Sequence, residues 1–233
     1  MSGLKMENII LGAVLCFAGG AMDGYSYCVQ GGILVAAQTG NLLLLTLHIV
    51  EGSFKMSLGY IVSVICFIVA AFMSRLIQEK FFWNDTVRWQ RCLLLIEFFV
   101  FLVVGFWDER IQPIYVIAVL SFLTTMQYCT FRSFGEGAPF ATVFCTGNIR
   151  SLMDNVYEGL VNKNQISKKR ASGYGIMLLC FVTGAACGSL LSKAVGNHAI
   201  WLACVAILIA WLLLCKSGRL WQIRKYLYKG SEK

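Results

Sequence analysis

The chain reads as an all-α polytopic membrane protein made of two inverted repeats. Each repeat holds three transmembrane helices and one broken, re-entrant segment. Three observations predict this. Of 233 residues, 58% are hydrophobic and 14% charged, against about 25% charged in soluble domains. The word Thr-Gly-Asn occurs twice, at Thr39-Gly40-Asn41 and Thr146-Gly147-Asn148, 107 residues apart. In each half it follows one apolar segment and precedes two more. The basic residues collect in loops and tail, as the positive-inside rule requires.

The first repeat covers 1–110. Its first span runs from about 9 to 28, and Gly20 and Gly24 there have the spacing of a tight helix crossing. Asp23 lies toward its end, and Gly31-Gly32 stops the helix. Segment 33–50 carries the first word and is read as re-entrant. Spans follow at about 56–77 and 92–107. Between them lies a polar, aromatic loop with Lys80, Trp83, Arg88 and Arg91. The last span carries Glu97, placed to reach the basic interface near Arg91, and closes on Asp108-Glu109-Arg110. The run after Lys5 continues into Asp23 without a small-residue cleavage site, so it is read as a span rather than a signal peptide.

The second repeat, 111–215, keeps this order. Its first span is about 113–131, with Pro113 suited to a first helical turn and Gln127 where the first repeat has Asp23. Segment 140–160 carries the second word and is the second re-entrant piece. It is more polar, with Arg150, Asp154 and Glu158 on one helical face. After a basic loop come spans at about 173–191, with Gly184 and Gly188 at crossing spacing, and 199–215. Residues 216–233 form a basic cytoplasmic tail with six Lys/Arg.

Charge decides the topology. With the tail inside, loop 160–172 is inside too, and loop 78–91 has a comparable basic load. Both fall inside only if neither word-bearing segment makes a net crossing. Each half then has three crossings, and an odd number inverts the second half. The result is six spans with both termini cytoplasmic in the cell membrane. The rival is eight spans in a parallel repeat, which places loop 78–91 outside against its charge.

The two words carry the chemistry. Thr caps helix starts, Gly permits unusual backbone angles, and Asn bonds across to other segments. Each word reads as the start of a half-helix, and two such starts in an inverted pair would meet near the midplane with their positive dipole ends facing a polar spot. Around that spot belong Asp23, Gln38, Thr39, Gly40, Asn41, Gln127, Thr142, Thr146, Gly147, Asn148 and Arg150. An aspartate inside an apolar segment is a functional candidate by default. Asp23 is the candidate for proton or cation coupling, and it could also pair with Arg150 or with a helix N-terminus. The bland reading is that the words only tie the halves together.

Two strings resemble the signature of the YoaK-like family of bacterial inner-membrane proteins. GGAMDGYSYCVQGGILVAAQTGN has the glycine pair, the aspartate and the small-residue run into TGN. MQYCTFRSFGEGAPFATVFCTGN has a Gln, an Arg after the helix, and Thr142-x-x-x-Thr146-Gly-Asn. The resemblance implies a membrane location and one fold over most of the chain, and it names no substrate.

Other classes are disfavoured. The net charge of +8 follows from topology, so no nucleic acid is expected as a partner. Ten cysteines lie mostly in apolar runs without CxxC pairs and act as small hydrophobes. Two histidines near segment ends make a metal site unexpected. No cofactor motif and no catalytic pair is visible, so an enzyme is not expected. The leading expectation is a small transporter or channel for a small polar or ionic solute, with the lipid bilayer as its other partner. The alternative is a non-transporting scaffold or accessory subunit. The glycine pairs would serve internal packing, or a homodimer.

Overall fold

A computed structural model describes residues 6–82, 85–106, 112–132 and 145–230, with side chains described from residue 9 to 216. The described residues are helical and contain no strand. In chain order they form α1 (Met6–Val29), α2 (Gln38–Val50), α3 (Phe54–Phe81), α4 (Thr86–Gly105), α5 (Pro113–Thr130), α6 (Cys145–Leu160), α7 (Gln165–Val195), a 3-10 turn (Gly196–Ile200) and α8 (Trp201–Gly230).

Four helical stretches are long and apolar enough to cross a membrane: Ile9–Val29, Phe54–Phe81, Pro113–Thr130 and Gln165–Lys216. The last, at 52 residues, contains α7 and most of α8. The 20 residues of α4 include Arg88, Arg91 and Glu97 in an otherwise apolar run. The 13 residues of α2 rise about 20 Å, which is short of the roughly 30 Å hydrocarbon core.

The helices outrun the expected spans. The loop expected at 78–91 shrinks because α3 continues to Phe81 and α4 starts at Thr86, where the Asp85 carboxylate accepts the Arg88 amide at 2.9 Å. The loop expected at 160–172 shrinks likewise, because the Asn164 side chain caps α7 through the Ile166 and Ser167 amides. The tail continues α8 as far as Gly230. A helix keeps its backbone bonds internal wherever it leaves the apolar region, so composition marks its apolar stretch and caps mark its ends. Trp83, the Trp107–Arg110 stretch and Thr142 lie outside the described residues.

The tightest packing joins α1 to α7. A Cβ on Gly20 would strike the Phe181 carbonyl, and one on Gly24 the Ala185 carbonyl. Reciprocally, one on Gly184 would strike the Phe17 carbonyl, and one on Gly188 the Ala21 carbonyl. The two glycine pairs therefore face each other inside one chain, and the two helices run parallel, since 17 meets 184 and 21 meets 188. Next comes α3 on α5, also parallel: Gly59 lies beside Ile117, and Ser63 Oγ is 2.9 Å from Ser121 Oγ. By contrast α4 and α8 are antiparallel. Trp201 Nε1 donates to Leu102 O at 3.2 Å, Cys204 Sγ to Phe98 O at 3.4 Å, and Arg91 Nη2 to Leu214 O at 3.2 Å. Finally α2 packs on α3, and α6 on α7.

These contacts sort the helix ends into two faces. The ends of α1, α4 and α7 share one face: Gln30 Nε2 and Tyr25 Oη both bond Asn197 Oδ1 at 3.0 Å, and His198 Nδ1 meets Gly105 O at 2.6 Å. The opposite face carries the ends of α3 and α5 and the starts of α4 and α7. The main core lies between α1, α4, α5 and α8, around Leu15, Met22, Tyr25, Phe101 and Ile207.

A second repeat of sequence accompanies the packing. Gly59-Tyr60 and Cys66-Phe67 in α3 recur as Gly173-Tyr174 and Cys180-Phe181 in α7, 114 residues on. At that spacing Ala70 and Ser74, both buried, stand where α7 has Gly184 and Gly188.

Candidate functional site

The first word sits at the end of a short extended segment. Gly31 and Gly32 take φ of +78° and +79°, a left-handed backbone that glycine adopts without Cβ strain. They turn the chain back after α1. Residues 33–37 then run alongside α1 and α3 until α2 starts at Gln38. The Tyr60 hydroxyl donates to Gly32 O at 3.4 Å, and three residues farther along α3 Ser63 reaches Leu34. The segment thus goes deeper as it proceeds, and α2 returns antiparallel to α3, with His48 stacked on Tyr60 at 5.5 Å.

Asp23 holds the deepest part. Its Oδ1 accepts the Ala36 amide at 2.9 Å, and the Val35 amide adds to it. The carboxylate is 5% exposed. Two turns from the end of α1, it replaces the partners that an extended segment lacks inside a helical bundle.

Asn41 closes the knot. Its Nδ2 donates to Leu34 O and lies 3.0 Å from Ser63 Oγ and 3.2 Å from Gln38 Oε1, while its Oδ1 accepts the Leu34 amide at 3.0 Å. Gln38 Nε2 adds bonds to Val35 O and Ser63 Oγ, both 3.2 Å. Ser63 passes the network to Ser121 on α5, whose carbonyl accepts the Thr125 hydroxyl at 2.7 Å. The network therefore links the halves through α3 and α5.

Thr39 does not cap. The N-cap of α2 is Ala37, with no side-chain capping bond, and Thr39 lies in the first turn, exposed. Gly40 is half-buried. The second word repeats this division: Thr146 and Gly147 are exposed at the start of α6, and Asn148 is buried. Each word has one inward residue, the Asn, and an outward Thr-Gly edge.

Two expected pairings are not made. Arg150 is exposed and lies 3.8 Å from Asp154, one turn along α6, while Asp23 meets backbone amides. A guanidinium on the outer face of an amphipathic helix keeps its hydration and forgoes a buried partner. Glu97 does not reach Arg91. It is 0% exposed, and neither of its oxygens has a hydrogen-bond partner among the described residues. Gln127 is also buried, and its Nε2 lacks a partner among the described residues. Among the described residues α2 packs on α3 and α6 on α7, and Cys145 at the start of α6 lies within electrostatic reach of Asp23.

Three residues of this site were missed by the sequence reading: Ser63, Ser121 and Glu97 as a core residue. A hydroxyl or carboxylate in mid-span was the available signal for each. No group of three or more His, Cys, Asp or Glu that could hold a metal lies among the described residues.

Comparison with known proteins places this geometry in context. The family model DUF1275, described as a protein of unknown function, matches residues 11–213. The UPF0700 transmembrane protein YoaK of Bacillus subtilis (strain 168) is 26% identical over 168 residues, covering 71% of this chain and 74% of that protein. No solved structure matches.

Proposed function

The chain belongs to the DUF1275 family and is an integral, multi-pass membrane protein, and we propose that it is a small transporter or channel for a small polar or ionic solute. The observation that carries the reading is the bare start of α2. Thr39 is exposed where the extended segment ends, and no side chain caps the helix. Irregular backbone at membrane depth is tolerated only where it is buried in protein or lines a water-filled cavity. An aqueous path along the Thr-Gly edges meets that requirement.

The packing supports a 3+3 inverted repeat. Exchanging the halves turns the parallel α1/α7 pair into α5/α3, also parallel, and maps α2/α3 onto α6/α7. The antiparallel α4/α8 pair maps onto itself. A parallel repeat makes α4 and α8 run the same way, so their antiparallel contact favours inversion. In this reading α1, α3, α4, α5, α7 and α8 cross, and α2 and α6 re-enter. The face with Lys80, Arg88, Arg132, Lys163, Lys168, Lys169 and Arg170 is cytoplasmic, and both termini lie there.

A second reading has its own observation. The Asn41 network is bonded to itself, as expected of a scaffold whose words are structural, with the Thr-Gly edges covered by a second copy. Single cysteines in a Cys-free chain separate the two. Under the first reading, Asn84→Cys and Gln165→Cys label with a charged thiol reagent from the cytoplasmic side. Arg110→Cys and Ala194→Cys label from the other side, and Thr39→Cys and Thr146→Cys also label. Silence at 39 and 146, with cross-linking between copies there, transfers the case to the scaffold. Labelling of 84 and 165 from opposite sides ends the inverted plan.

A further inference from the structure

Glu97 is the group the word-centred site leaves unused. It lies on α4 between Arg91 and Leu102, the stretch that crosses α8, one residue from Phe98, whose carbonyl receives Cys204. Leu94 and Phe101, which share its helix face at three and four residues, belong to the core cluster with α1, α5 and α8. The carboxyl group therefore points between the halves. Both oxygens are buried and unpartnered among the described residues.

Nothing on the surrounding helices answers its charge. Helix α8 has no Asp, Glu, Lys or Arg between Trp201 and Cys215, nor has α5 between Pro113 and Thr130. On α3 none occurs between Met56 and Ser74. On α1 the charged residue between Ile9 and Val29 is Asp23, already engaged by amides and of the same sign. On α4 itself the nearest cation is Arg91, six residues back and committed by Nη2 to Leu214 O. An uncompensated carboxylate in an apolar core is costly. Among the described residues no side chain supplies the compensating charge.

We propose that Glu97 is a binding site for a small monovalent cation, the proton included, at the seam between the two halves. Coupling of that ion to a solute rests on the transporter reading above; occupancy of the site does not.

The test is infrared difference spectroscopy of the full chain in lipid vesicles, which reports the carbonyl stretch of a neutral carboxylic acid whether or not anything is transported. In choline buffer the wild type shows this band, ¹³C-glutamate labelling shifts it, Glu97→Gln abolishes it and Asp23→Asn leaves it. If sodium or potassium removes the band from the wild type, the occupant is the alkali ion in competition with the proton. If both salts leave it, the occupant is the proton alone. The isotope shift assigns the band to a glutamate, and Glu97→Asp, which keeps the carboxyl group but leaves its band unshifted by ¹³C-glutamate, assigns it to Glu97 where Glu97→Gln fails to fold. A spectrum without a glutamate-dependent band in choline, and without a glutamate-dependent response to either salt, overturns the inference. A present band combined with silent cysteines at 39 and 146 keeps the ion site and removes the transporter.

Discussion

Asn41 and Thr39 stand two residues apart and have opposite surroundings. Asn41 holds the amide and carbonyl of Leu34 and touches Ser63 and Gln38, so its removal strands buried backbone groups on a segment with no helical bonds of its own. Stranding a buried polar group costs about 1–3 kcal/mol. Asn41→Ala is therefore expected to destabilise by about that much, and Thr39→Ala, exposed, by under about 0.5 kcal/mol. Thermal unfolding in one detergent measures both, and equal shifts remove the distinction between inward and outward residues. Asp23 yields a second comparison. Its oxygen accepts a backbone amide, which an asparagine oxygen can also do, whereas leucine cannot. Asp23→Asn is expected to keep most of the stability that Asp23→Leu loses. Loss of fold in Asp23→Asn equal to that in Asp23→Leu would show that the charge, rather than the acceptor, holds the segment.

At the scale of helices, the glycine pairs were legible in the sequence and their partner was a choice between two. Small residues four apart mark a close crossing, and here the partner of Gly20 and Gly24 is the pair Gly184 and Gly188. Helix ends were less legible because hydropathy reports the apolar stretch, whereas Asp85 and Asn164 set the starts of α4 and α7 by capping. The cap of α2 was misplaced by two residues, at Thr39 instead of Ala37, for a related reason. Thr39 is a good capping residue, yet Asp23, distant in sequence, supplies the acceptor for the preceding amides. That contact leaves no local pattern. Ser63 and Ser121 escaped notice because single hydroxyls in apolar helices are common and bond their own backbone. The crossing itself can be tested. Gly20→Val or Gly184→Val drives a side chain into a facing carbonyl, and overpacking of a fitted contact costs about 1–3 kcal/mol or more. Gly175→Ala on the same α7 meets nothing within 4 Å and replaces a helical glycine by a better helix former, so it is expected to be neutral or stabilising. Comparable losses from Gly184→Val and Gly175→Ala would mean that the α1/α7 contact is not what holds these helices.

Across the whole molecule the two most extensive helix contacts, α1 on α7 and α3 on α5, join the halves. α1 packs on α7, α3 on α5 and α4 on α8, and in each pair one member comes from before residue 110 and the other from after it. Within the first half, α2 on α3 is the principal contact, and within the second, α6 on α7. A half on its own would expose to lipid the faces that now meet: Gly20 and Gly24 without their carbonyl partners, and Ser63 without Ser121. Lipid compensates poorly for lost close packing and lost interhelical hydrogen bonds. Residues 1–110 and 111–233, made as separate chains, are therefore expected to accumulate poorly alone and to co-purify when made together. Gly20→Val in the first fragment should abolish the co-purification, and Gly175→Ala in the second should leave it unchanged. A fragment that is stable and folded by itself, with native-like helix content in detergent and no affinity for the other, would mean that each half is its own folding unit and that the seam holding Glu97 is a docking surface rather than a core.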